Sequence, residues 1–432
     1  NDMLTRIYGL AFDTKAELDE YLAQREAAKE RDHRKIGKEL GLFTFSEKVG
    51  PGLPLFTPKG TKVRNLVVEK IRSIQERFGY EDVCIPHITK ADLYQTSGHW
   101  DKYKDDLFYV KGKSDAEFVM KPMNCPHHTQ IYDAEPRSYR DLPLRFAETT
   151  MVYRDEQAGE LMGLSRVRSI TQDDGHIFCT PDQIEEEVAN IVTIIREFYT
   201  AMDMWNEDTY WVSLSVRDPH NPDKYIGDDA LWDRAEAILE KIAKENGLNY
   251  RRVEGEAAFY GPKLDFQFKD AIGREWQLGT AQLDFVQPAR FGLEYTDDAG
   301  TKQMPVMIHR AIAGSLERFM SLALEHFAGY FPLWLAPTQV AVIPVKPDLH
   351  GDYASEVAKE LQNVGLRIAL WDDEKEGFGK KVRRAKTDKL PYWIIVGGEE
   401  AESETITVES KSDQQKGVSV VNFLQSIQGT IK

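Results

Sequence analysis

Three residues of types that bind soft divalent metals, Cys125, His176 and His309, stand far apart in the chain, each inside a short polar motif. Cys125 follows Lys121-Pro122-Met123-Asn124, His176 follows Gln172-Asp173-Asp174-Gly175, and His309 precedes Arg310. One thiolate and two imidazoles make a donor set for zinc. Structural zinc sites show close Cys and His pairs, whereas catalytic zinc takes three protein ligands from distant segments and keeps a fourth position open. The spacing here is of the second kind. Taken singly, the cysteine reads as a buried thiol and each histidine as a hydrogen-bonded core residue. Only their shared surroundings favour a ligand set.

At 432 residues the chain is long enough to bring such segments together, and its length corresponds to two or three domains. No apolar run approaches the roughly 20 residues that span a bilayer, and the N-terminus lacks the basic-then-apolar order of a signal peptide. A cytoplasmic setting is the expectation. Cys84 and Cys179 read as buried free thiols, since three cysteines in so long a chain make no disulfide framework. A formal charge of −16 opposes indiscriminate nucleic-acid binding, which needs basic surface to displace counterions. Two local clusters remain: Arg31, Arg34, Lys35 and Lys38, and then Lys380, Lys381, Arg383, Arg384, Lys386 and Lys389. Each reads as a solvated helix face or as a phosphate-binding patch.

Thr14 with Glu17 is a capping box, and residues 15–40 predict one long, mostly exposed linker helix. Turns at Gly50-Pro51-Gly52 and Pro58-Lys59-Gly60 precede Val63, Leu66, Val67, Ile71, Ile74 and Phe78, which recur at helical spacing up to Gly79. Val83, Cys84 and Ile85 predict a short strand closed by Pro86. Residues 145–178 form two extended runs around the polar loop 155–160, an antiparallel pair. Thr180, Pro181 and Gln183 open a helix. A second helix spans 229–246, strands cover 263–268 and 275–285, and a core helix starts near Gly314. After Leu335-Ala336-Pro337 the pattern becomes a compact α/β alternation. The division is a linker-helix region 1–40, a domain 41–337 and a small domain 338–432.

Tyr153-Arg154-Asp155-Glu156 with Arg166-Val167-Arg168 resembles motif 2 of the class II aminoacyl-tRNA synthetases, and Gly314-Ser315-Leu316-Glu317-Arg318-Phe319 resembles motif 3. The turn, helix and strand ending at Pro86 resemble motif 1, the dimerisation element. Met123-Asn124-Cys125-Pro126, Gln172-Asp173-Asp174, Phe259-Tyr260-Gly261-Pro262-Lys263 and Gln282-Leu283-Asp284-Phe285 are similar to segments of the threonyl-specific family, in that family's order. The resemblance covers essentially the whole chain. It implies an α/β fold with an α+β catalytic domain on an antiparallel sheet, a C-terminal mixed α/β anticodon-binding domain, and a homodimer through motif 1.

The same resemblance implies a two-step ligase: threonine's carboxylate attacks the α-phosphate of ATP, and a 3′-terminal hydroxyl of tRNA(Thr) then takes the acyl group. Arg154 holds the α-phosphate, Arg318 reaches the γ-phosphate, and Glu156 reads the adenine amino group. Arg166, Gln277 and Thr280 complete the ATP site, with Mg2+ bridging phosphates and Lys263 supplying charge at the attacked phosphorus. Arginine suits such a site because its planar fork binds phosphate oxygens in pairs. Cys125, His176 and His309 hold one Zn2+ that binds threonine's amino and hydroxyl groups, with Met123, Gln172, Asp174, Tyr260 and Gln282 around it. Zinc answers a recognition problem that size cannot, since valine differs from threonine by a methyl in place of the hydroxyl. Serine keeps the hydroxyl, and the sequence begins at what resembles the helix after the family's editing domain, so serylation of tRNA is expected. Arg383, Glu402 and Lys411 are the tRNA contacts implied in the small domain, where Glu409 and Asp373 depart from the family's usual basic residue and Asn. His99 faces the tRNA terminus or serves as a capping or core histidine. A prolyl enzyme of the same plan and a non-catalytic RNA-binding paralogue are the rival readings. Metal content separates the first, and retention of Arg154, Lys263, Arg318 and the three ligands opposes the second.

Overall fold

The computed structural model describes residues 9–113, 115–270 and 273–430. An eight-stranded sheet carries the larger domain, in the order Tyr250–Glu254, Tyr210–Val216, Lys263–Lys269, Glu275–Asp284, Val306–Ser315, Ser169–Cys179, Leu144–Tyr153 and Glu81–Asp82. The six inner strands pair antiparallel, and the strand at each edge joins in parallel. Alternation along each strand sorts side chains to opposite faces. Ile177, Leu264, Phe266, Ala281, Leu283 and Ile308 enter the main core, where residues of the helices Pro58–Gln75, Ile184–Ala201 and Leu316–His326 cover them. Their neighbours in sequence, His176, Lys263, Asp265, Thr280, Gln282 and His309, are thereby left for the opposite face.

Local signals set the element ends. Thr180 and Gln183 form the expected capping box, Thr180 N–H donating to Gln183 Oε1 at 2.9 Å. Gly79, at φ 73°, ends the first core helix. Gly314, at φ 67°, lets the last core strand turn toward its helix, and a Cβ there would lie 2.5 Å from the Leu278 carbonyl oxygen. Over the sheet's polar face lie the short helix Cys125–Asp133 and a three-stranded sheet of Ile88–Lys90, Phe118–Met120 and Tyr109–Val110.

Four expectations need correction. The predicted linker helix is two helices, Lys15–Arg31 and His33–Glu39. Asp32 breaks it: its backbone is non-helical, and its carboxylate accepts the Arg34 N–H at 2.8 Å, so it caps the second helix. The motif 1 strand is Glu81–Asp82 rather than 83–85. Ladder pairing continues only through Val83 N–H to the Ala147 carbonyl, after which the Glu148 carboxylate takes the Ile85 N–H at 3.0 Å. Cys84 is exposed, while Cys179 is buried as expected. Lys381 is buried and so leaves the late basic cluster.

The smaller domain holds a five-stranded mixed sheet in the order Ile368–Leu370, Val340–Pro344, Tyr392–Val396, Ile406–Glu409 and Gln414–Val418. Helices Pro347–Asn363 and Val420–Ile427 contribute Val357, Leu361 and Phe423 to its core. Gln414–Val418 is polar and exposed, so no apolar alternation marks it in the sequence.

Candidate active site

Strand register assembles the centre of the site. His309 stands opposite His176 on one neighbouring strand and opposite Gln282 on the other, and Ala311 likewise faces Asp174 and Thr280. Cys125 enters from above at the start of its helix. The Sγ of Cys125 and ring nitrogens of His176 and His309 all lie within 4.8 Å of one another, and all three residues are buried. His176 Nε2 and His309 Nδ1 are 3.0 Å apart. Their other nitrogens are engaged elsewhere: His309 Nε2 lies 2.8 Å from Asp284 Oδ2, and His176 Nδ1 lies 2.7 Å from His128 Nδ1. Backing a ligand's second nitrogen with a carboxylate or another polar partner is characteristic of metal-binding histidines. The donor set, its convergence and this backing fit zinc. Burial pushes the Cys125 thiol well up and the His176 imidazole well down.

The triad opens into a cleft of about 310 Å³ lined also by Met123, Arg154, Gln172, Asp174, Tyr260, Gln277, Thr280, Gln282 and Arg318. Asp174 accepts Asn124 Nδ2 at 2.9 Å and the Gly175 N–H at 3.0 Å, and burial raises its carboxyl above the usual range. Tyr260 Oη donates to Gln282 Oε1 at 3.4 Å. The Gln282 amide nitrogen is buried with no partner among the described residues, a donor left for a ligand.

At the other end of the cleft, cations gather. Arg154 Nε is buried and unpartnered among the described residues. Arg318 donates through Nε to the Ser165 carbonyl at 3.2 Å and stacks 5.4 Å from the Trp276 ring centre. Burial, then the positive charges of Arg154 and Arg166, hold the Arg318 guanidinium below its usual range. This unneutralised positive charge matches a polyanion. Arg166 and Glu156 pair at 2.7 Å, closing the loop between the two long strands on itself.

Lys263 is outside the lining of that cleft and pairs with Asp265, two residues on and on the same strand face. Sequence reasoning missed Asp265. Its carboxylate also accepts Ser215 Oγ at 2.9 Å, Gln277 Nε2 at 2.7 Å and Thr280 Oγ1 at 3.0 Å, and so fixes three expected site residues, Lys263, Gln277 and Thr280. Asp284 was missed too; it stands two residues from Gln282, and strand periodicity alone would have placed it beside the site. His128, three residues after Cys125 on one helix, carried a similar signal.

The expected tRNA contacts do not converge. Arg383 and Glu402 are exposed on separate helices, whereas Lys411 lies 4.1 Å over the Tyr330 ring, against the larger domain. Glu409 accepts the Trp393 indole N–H at 2.7 Å, a fold contact in place of a basic residue. His99 is buried, its Nδ1 2.8 Å from Ser97 Oγ and its Nε2 3.9 Å from Cys125 Sγ, the surroundings of the core alternative.

Residues 108–327 match the tRNA synthetase class II core domain family (G, H, P, S and T), and residues 339–430 match the anticodon binding domain family. The threonine–tRNA ligase of Gloeobacter violaceus is 51% identical over 418 residues, 96% of this chain and 66% of that protein. The chain thus spans just under two thirds of that relative's length. The crystal structure of the RNA binding domain of threonyl-tRNA synthetase from Cryptosporidium parvum superposes with a TM-score of 0.85 at 34% identity, covering 92% of this chain and 98% of that one. Giardia lamblia prolyl-tRNA synthetase, at 16% identity and a TM-score of 0.74, shares the fold. With class II core and anticodon-binding domains and these likenesses along nearly its whole length, the chain belongs to the threonine–tRNA ligase family of class II aminoacyl-tRNA synthetases.

Proposed function

We propose that the chain activates threonine with ATP to give threonyl-adenylate and pyrophosphate, then transfers threonine to the 3′ end of tRNA(Thr). The observation that carries this reading is one cleft with a Cys-His-His donor set at one end and Arg154 and Arg318 at the other. Cys125, His176 and His309 would hold zinc. Bound there, zinc supplies a Lewis acid for the amino and hydroxyl groups of threonine. Asp174, Gln172, Tyr260 and Gln282 satisfy the remaining polar valences, and Met123 bounds the pocket. Arg154 and Arg318 hold the α- and γ-phosphates of ATP with magnesium, while Glu156 with Arg166, and Gln277 with Thr280, complete the nucleotide site. Lys263, released from Asp265, stabilises charge at the attacked phosphorus. Catalysis is then positioning and charge stabilisation, with no covalent step on the protein.

The division is a linker region 1–40, a catalytic domain 41–337 and an anticodon-binding domain 338–432, the last reaching tRNA through Arg383, Glu402 and Lys411. We place the chain in the cytoplasm, as a homodimer through the motif 1 edge, where Ile88 and Met151 are exposed. Threonine-dependent pyrophosphate exchange, before and after zinc chelation and re-addition, tests the reading. Exchange that requires threonine and is lost and restored with zinc is the expected result. Exchange with proline instead, or unchanged exchange after verified zinc removal, overturns it.

A further inference from the structure

We infer that His128, backed by Glu148, is the positioning residue that fixes which nitrogen of His176 faces the metal site. The inference deepens the proposed function and rests on it. Cys125 and His128 lie three residues apart in the helix Cys125–Asp133, so one helical face presents both toward the sheet. His128 is fully buried. Its ring meets that of His176 edge to face, with centres 4.7 Å apart and the two Nδ1 atoms 2.7 Å apart.

Two nitrogens at that distance must be one donor and one acceptor. For His176 to turn a lone pair toward Cys125 and His309, its proton must sit on Nδ1, and His128 Nδ1 must accept it. His128 then carries its own proton on Nε2, which stands 3.7 Å from Glu148 Oε2. Neither of these two atoms has a hydrogen bond within the described residues, and both are buried. Glu148 is itself held, since its other oxygen takes the Ile85 N–H at 3.0 Å. The reverse arrangement would put the His176 proton on Nε2, facing His309 Nδ1, and would turn a bare His128 lone pair toward a carboxylate. Only the first order of protons leaves His176 able to ligate and sets a donor rather than a lone pair opposite the Glu148 carboxylate.

The test is zinc affinity of the full chain by chelator competition, with cobalt(II) absorption as a second report on the ligand field. His128→Leu is expected to weaken zinc by about 10–100-fold and shift the cobalt bands. His128→Asn, whose amide oxygen takes the place of Nδ1 and accepts the same proton, restores most of that loss. Glu148→Gln weakens zinc by about tenfold, the low end of such effects. A His128→Leu chain with wild-type affinity and spectrum overturns the inference, as does an Asn variant as weak as the Leu variant. Should His128→Leu fail to fold, unchanged affinity in Glu148→Gln overturns it instead. A wild-type chain that takes up no zinc defeats the metal reading itself, which separates the two failures.

Discussion

Arg318 keeps its charge where charge is costly, in a partly buried position beside two other arginines and with carbonyl oxygens rather than a carboxylate as partners. Such an arrangement suits a bound anion, which the planar fork of the guanidinium can grip at two points. Arg318→Lys is therefore expected to lower the rate of pyrophosphate exchange by about 10²–10³-fold while the thermal unfolding midpoint stays in place. A change under about tenfold would remove Arg318 from the reacting centre. Selectivity belongs to the same scale. In the zinc-loaded chain threonine is expected to beat valine by about 10⁴–10⁵ in activation, and serine, which lacks only a methyl, by about 10–200-fold. Side-by-side exchange assays with the three amino acids check this, and a valine ratio no larger than the serine ratio would defeat hydroxyl recognition. The arginines and the donor triad were legible because each sits inside an unusual local motif. Asp265 and Asp284 were not, because their importance lies in partners on neighbouring strands, which no local motif displays.

Arg310 and Asp173 show how whole elements hold His176 and His309 in place. Arg310, next to His309, donates to Asp173 Oδ1 at 2.7 Å and to Gln75 Oε1 in the motif 1 helix, and it stacks 4.8 Å from the Tyr80 ring centre. The other Asp173 oxygen takes the N–H groups of Ile312 and Ala313 at 2.7 and 3.0 Å, where the pairing register between the two strands shifts. One buried pair thus joins three elements and keeps His176 and His309 in step. Removing its acid leaves a buried guanidinium uncompensated, so Asp173→Ala is expected to destabilise the chain by about 3–5 kcal/mol in urea unfolding. Thr180→Ala, which removes a half-buried helix cap, is expected to cost only about 1 kcal/mol by the same measurement. Periodicity and capping residues made the long helices and the central strands readable. The break at Asp32 and the displaced motif 1 strand were not, because in each case a carboxylate captures a backbone N–H that the pattern assigns to a regular element.

At the scale of the molecule, the smaller domain is docked by cations reaching into the larger one. Arg367 donates to the Ala336 carbonyl at 2.9 Å and the Trp334 carbonyl at 2.7 Å, Lys389 Nζ donates to the Ala328 carbonyl at 2.6 Å, and Lys411 covers the Tyr330 ring. These contacts fix the smaller domain against the larger one, and under the proposed function they set the distance that a bound tRNA would span. On the proposed function, adenylate formation would need only the cleft, whereas transfer to tRNA would need both domains at once. Arg367 is not among the residues lining the cleft, and its hydrogen bonds go to Gln339 and the connecting segment; its replacement by an apolar side chain leaves carbonyls there unpaired, at about 1–3 kcal/mol. Arg367→Met is therefore expected to raise the KM for tRNA by about tenfold, the equivalent of about 1.4 kcal/mol, while threonine-dependent pyrophosphate exchange stays within about twofold of wild type. Faster proteolysis in the connecting segment near residue 336 should accompany it. If exchange and tRNA charging fell together, Arg367 would be serving the fold of the catalytic domain; if neither changed, the docking would rest on the other contacts, Lys389, Lys411 and the Lys59–Asp388 pair among them.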